Sequence, residues 1–160
     1  MKITFYLAIV LFIGYIIGTI LRFEKIPKSI SDTHYMWKEI GYPYMFTAVM
    51  WALAFLVLMY WVDVTPDKLK PLPFLSMSGL GFVGGACAFK ETLTKGTHFT
   101  AAAIWAIFAI LYFVLTQNYI SILFGAVTGI VGLILDRFKN FTFWAECACV
   151  AMMIFGIYMI

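Results

Sequence analysis

Polar residues break this chain into long apolar runs. A membrane crossing needs about 20 mostly apolar residues, and six runs qualify: 3–21, 44–62, 71–89, 99–116, 119–135 and 141–160, the fifth being short. The pattern predicts an all-α integral membrane protein: a six-transmembrane-helix bundle with a long first cytoplasmic loop, forming one polytopic domain over 1–160. Gln117-Asn118 leaves room only for a tight turn, so the runs on either side should form an antiparallel hairpin. The break at 63–70, "DVTPDKLK", is also short. The one long connection is 22–43, and it carries the most polar passage, "KSISDTHY" at 28–35.

Composition strengthens this reading. The chain is 64% hydrophobic and 12% charged, with mean hydropathy +0.96. Soluble domains are about 45–50% apolar and about 25% charged, so the expected solvent is lipid. The net charge of +3 is spread over several loops and forms no nucleic-acid patch. Cys87, Cys147 and Cys149 fall in apolar runs and read as small core hydrophobes. "ECAC" at 146–149 has too few histidine partners for a four-ligand zinc site. Lys2 precedes an apolar run with no small-residue cleavage site, which reads as a retained first span.

The basic residues set an orientation. One face would carry Lys2, Lys68 and Lys70; the other, Arg22, Lys25, Lys28, Lys38, Lys90, Lys95, Arg137 and Lys139. The positive-inside rule then places both termini outside and "KSISDTHY" in the cytoplasm. The expected location is a bacterial inner membrane, and the excess of Lys over Arg points to an AT-rich genome. The glycosylation sequon at Asn140-Phe-Thr142 would face the cytoplasm and carry no meaning there.

Glycine pairs mark expected helix contacts: Gly14 with Gly18, Gly81 with Gly85, and Gly125 with Gly129. The run containing Gly79, Gly81, Gly84 and Gly85 should be the central, most crowded helix. One of these faces could also support a homo-oligomer. "FTAVMWALAF" from Phe46, "FTAAAIWAIF" from Phe99 and "FTFWAECACV" from Phe141 echo one another, each expected to open a helix.

Ionisable groups within apolar runs are costly and mark candidate sites. Glu146 lies inside the last run, and Lys90, Lys95 and Arg137 are its expected partners. On this topology Ser31, Asp32, His34, Glu91, His98 and Glu146 share one membrane face and form the candidate functional cluster. The loop also has a purely structural reading. "SDTHYMWKEI" can begin a short interfacial helix capped by Ser31 or Asp32, with Tyr35, Met36, Trp37 and Ile40 at the interface and Lys38 and Glu39 in water.

"ISDT" (Ile30 to Thr33), just after the first of six runs, resembles the damage-regulated autophagy modulator family and related bacterial six-span proteins. That resemblance implies a six-helix bundle, with a Gly where His34 stands and the loop on the non-cytoplasmic side. Ser31, Asp32, His34 and His98 resemble a fragment of the Ser/Asp/His set of alkaline-ceramidase and adiponectin-receptor hydrolases, without their third histidine or seventh span. The expected function is non-enzymatic: binding or passing a small molecule or lipid, as a transporter-like, pore-forming or effector subunit. No cofactor is expected, membrane lipid is the expected partner, and nucleic acid is not. The alternative is an intramembrane metal-dependent lipid hydrolase using Ser31, Asp32, His34 and His98, with zinc held by His34, His98 and Asp32.

Overall fold

The computed structural model describes residues 2–160. Among them are seven α-helices: α1 (Lys2–Phe23), α2 (Thr33–Glu39), α3 (Met45–Val64), α4 (Pro71–Gly85), α5 (Thr92–Leu115), α6 (Tyr119–Leu135) and α7 (Phe141–Tyr158). One 3-10 turn, Asp67–Leu69, joins α3 to α4. The described residues contain no strand. Four helices, α1, α3, α5 and α7, are long and apolar enough to cross a membrane. At 1.5 Å per residue, α4 and α6 reach only roughly 22 and 25 Å, against a hydrocarbon core of about 30 Å.

Outward-facing apolar character is clearest in α6. Its buried residues are Ser121, Gly125, Gly129 and Gly132. Ile120, Leu123, Val127, Ile130, Ile134 and others point outward. A water-soluble helix turns its large apolar residues inward; α6 does the opposite. Its small residues let α7 approach. A Cβ on Gly125 would sit 2.6 Å from Met152 Cβ, and one on Gly129 would sit 2.9 Å from Ala148 Cβ.

The close helix pairs are α4 with α5, α6 with α7, α3 with α4, and α1 with α3. The glycine-rich α4 is therefore flanked on both sides, but through different glycines than the sequence pairing suggests. Gly79 meets the α5 backbone, 2.6 Å from Trp105 N, and Gly84 meets Met50 Cβ at 2.8 Å. A Cβ on Gly81, Gly14 or Gly18 would meet nothing within 4 Å. The Gly14/Gly18 pair thus makes no close helix contact among the described residues.

Helix boundaries depart from the apolar runs at one place. α4 stops at Gly85, residues 86–91 are irregular, and α5 begins at Thr92 rather than near Phe99. Thr94 Oγ1 donates to the Ala88 carbonyl and closes this turn. The three-fold echo fails for the same reason: Phe99 lies inside α5, and Phe46 is fully buried while Phe99 and Phe141 are exposed. The Gln117-Asn118 link is a tight turn, with Gln117 at φ 56° and the Asn118 N–H returning to the Phe113 carbonyl.

Candidate functional site

The 28–35 stretch folds back into the bundle. Ser29, Ile30, Ser31, Thr33 and His34 are all buried. A polar segment survives burial only if its hydrogen bonds are met, and here distant elements meet them. The Lys28 carbonyl accepts from the Phe143 N–H of α7 at 3.1 Å. The Ile30 N–H donates to the Glu146 carboxylate, which the Ser31 N–H also reaches. Glu146 therefore finds backbone amides as partners, not the expected cations. Thr33 donates to the Ile30 carbonyl at 2.5 Å, so its oxygen is left to accept from Tyr15 of α1 at 2.6 Å. Trp37 donates to Thr19 at 2.9 Å and ties α2 to α1.

The short helix in this connection forms as expected, but its cap differs. Asp32 occupies the N-cap position without a side-chain capping bond. Instead Ser29 Oγ accepts from the Asp32 N–H at 2.9 Å. The Asp32 carboxylate turns outward to Lys90 Nζ at 2.8 Å, while the Lys90 ammonium lies 4.0 Å from the Tyr35 ring centroid. Lys38 and Glu39 face water, and Met36 is buried.

Ser31 and His98 come together from opposite sides of the sequence. Ser31 Oγ is 3.0 Å from His98 Nε2, and His98 Nδ1 is 3.0 Å from the Ala86 carbonyl. A carbonyl can only accept, so Nδ1 carries the hydrogen. In the neutral ring Nε2 then bears the lone pair and accepts from the Ser31 hydroxyl. Phe89 stacks on the imidazole with ring centroids 5.0 Å apart. The irregular 86–91 segment supplies both the carbonyl and the ring, so the early end of α4 is what orients His98.

Below this pair lies a cavity of about 210 Å³, walled by α1, α3, α4, α5 and α7. Along α7 its lining runs from Thr142 to Ile154, roughly 18 Å of helix. The wall is apolar over most of that length, with Phe5, Phe12, Leu53, Val57 and Met153 among its residues. Ser31, Thr142 and Glu146 supply polar groups at its head. Deeper in the wall, buried Trp105 has an indole N–H with no hydrogen-bond partner among the described residues.

The predicted cluster thus divides. Ser31 and Glu146 line the cavity head, and His98 bonds to Ser31 from outside the lining. Asp32 pairs with Lys90 at the surface, and Glu91 is exposed at the start of α5. His34 packs on the rings of Tyr35 and Phe46, and its Nδ1 has no partner among the described residues. Burial holds the His34 imidazole below its ordinary pKa, and nearby Lys38 adds to this. Among the described residues no three His, Cys, Asp or Glu side chains form a group able to hold a metal ion. His34, His98 and Asp32 therefore do not fit a zinc site as they stand.

Sequence reasoning missed Trp105 and Tyr15. An aromatic residue within an apolar run carries no local mark of what it faces. No family model, curated protein or solved structure matches the chain.

Proposed function

We propose that this chain is a polytopic membrane protein that binds an amphiphile, with an apolar chain in the central cavity and the polar group at Ser31 and Glu146. The observation that carries this reading is the cavity itself: long, apolar along its walls, and polar at its head. An apolar cavity of about 150 Å³ is large enough to take up benzene, so about 210 Å³ accommodates part of a lipid chain. α1 and α7 both line the cavity but are not a close pair. The seam between them is the proposed route for a chain entering from the bilayer.

In this reading α4 and α6 complete a six-helix bundle, and the site lies at the cytoplasmic face. Arg22, Lys28, Lys38, Lys90, Lys95 and Lys139 gather near the site end, which supports that orientation. Membrane lipid is the ligand source, and no metal takes part.

Native mass spectrometry of detergent-solubilised protein tests this reading. A long-chain fatty alcohol or lysophospholipid should bind one-to-one after delipidation. Ala102→Trp, which fills the cavity wall, should abolish that binding. Equal binding by the filled variant, or no binding by the wild type, would overturn the proposal.

A further inference from the structure

Resting on that binding reading, we infer that Ser31 is an acyl-transfer nucleophile and His98 its general base, acting on a long-chain acyl ester held in the cavity. The placement carries the inference. Ser31 lines the cavity head, and His98, outside the lining, reaches the Ser31 hydroxyl through Nε2. Attack requires a hydroxyl open to the substrate and a base within reach of its proton, and the leaving oxygen and the water must then come within reach of the same Nε2. The 3.0 Å contact and the tautomer set by the Ala86 carbonyl leave Nε2 free to take the hydroxyl proton. Here a backbone carbonyl holds the ring in the orientation that a carboxylate provides in other serine hydrolases.

The substrate class follows from where the cavity changes character. In a lipid ester the carbonyl carbon marks the end of the apolar chain and the start of the polar head. Ser31 occupies the matching boundary in the protein. With the chain in the cavity, the ester carbonyl is the group brought to Ser31 Oγ.

The reaction balances with water as the only co-reactant. Ser31 Oγ bonds to the carbonyl carbon as its proton passes to His98 Nε2. The C–O bond to the head-group alcohol then breaks, and His98 returns the proton to the leaving oxygen. Water next attacks the acyl-serine, with His98 taking its proton. Fatty acid leaves, and the proton returns to Ser31. Glu146 touches none of these atoms. It is a positioning residue, holding the Ile30 and Ser31 amides and so the nucleophile's backbone.

An alkyl fluorophosphonate tests the pair directly, because it needs only a reactive serine. Ser31 Oγ would bond to phosphorus, fluoride would leave, and the proton would pass through His98 to solvent. Tandem mass spectrometry of the labelled protein should place the adduct on Ser31, and Ser31→Ala should remove it. His98→Gln should slow labelling by about 100-fold or more, the usual contribution of a general base. The wild-type labelling rate should also rise with pH through a single ionisation and then level off, a readout that stands if His98→Gln fails to fold. No adduct on Ser31 in folded wild type, or a pH-independent rate, would overturn the inference. If the fatty alcohol binds but Ser31 is not labelled, the nucleophile fails and the binding site stands. If the alcohol does not bind, the binding site itself fails.

Discussion

Residues 28–35, "KSISDTHY", and 90–97, "KETLTKGT", have similar compositions and opposite fates. Both are polar interruptions flanked by apolar helices. In the first, residues 29–31, 33 and 34 are buried, and their hydrogen bonds run to Tyr15, His98 and Glu146. In the second, Glu91, Thr92, Lys95, Gly96 and Thr97 are exposed, and Leu93 is 94% exposed. Apart from Lys90, whose ammonium pairs with Asp32 and whose N–H donates to the Tyr35 hydroxyl, its bonds are local, from Thr94 to Ala88 and Glu91 and then into the first turns of α5. Polarity alone does not decide which stretch goes inside. A polar segment is buried where remote partners are already in position to satisfy it, and stays at the surface where its own helix does so.

The two stretches should respond differently to substitution. The largest effect is expected from Glu146→Ala, which strips the acceptor from the buried Ile30 and Ser31 amides. Each stranded amide costs about 1–3 kcal/mol, seen as a clear drop in the thermal midpoint in detergent. Thr97→Ala, in the exposed stretch, should stay within about 0.5 kcal/mol. Equal midpoints for the two variants would erase the contrast.

Thr33→Val comes next. It preserves shape but removes the Ile30 bond and the acceptor for the Tyr15 hydroxyl. The expected cost is about 1–2 kcal/mol by the same measurement, whereas Thr92→Val should be near neutral.

Lys90→Ala should cost less, about 1 kcal/mol or below, because Lys90 is half-exposed and its pair with Asp32 is screened by water. That cost should shrink further in high salt. Lys95→Ala should show no salt-dependent loss. A Lys90 effect that grew with salt would contradict the ion pair.

The smallest effect concerns pH. His34 is held neutral by burial, so its folded pKa lies below the unfolded value. Between those two values the unfolded chain binds more protons, so stability rises with pH across that window. The contribution is full above about 6.5 and is lost as pH falls through the folded value. Melting curves from pH 5 to 7.5 should show this slope in the wild type. His34→Phe, which keeps a ring against Tyr35 and Phe46, should flatten it.

Much of the architecture was legible from hydropathy because helices in lipid need long apolar runs. The 119–135 run coincides with α6, and the two-residue turn at Gln117-Asn118 is where length alone placed it. The α4–α5 boundary was not legible. Residues 86–89, "ACAF", are as apolar as a helix interior, yet the chain turns there. The glycine register was also hidden. Gly79 and Gly84 pack against neighbours while Gly81 does not, and only the rotation of α4 between α3 and α5 selects among them.

The site shows the same division. Ser31, His98 and Glu146 could be singled out because polar groups near apolar helices are few and expensive. Asp32, His34 and Glu91 were equally eligible by that criterion. Convergence depends on the paths of α5, α7 and the 86–91 turn, which carry Ser31's partners from positions 67 and more residues away along the chain.

By itself the sequence determined the apolar runs, the helical class and the short list of groups able to do chemistry, because each follows from local composition and period. The tertiary structure alone decided that 28–35 folds inward, that Ser31 meets His98, and that Ser31 sits at the head of an apolar cavity. Those outcomes rest on contacts between residues far apart in the chain, whose geometry is set by how several helices pack at once.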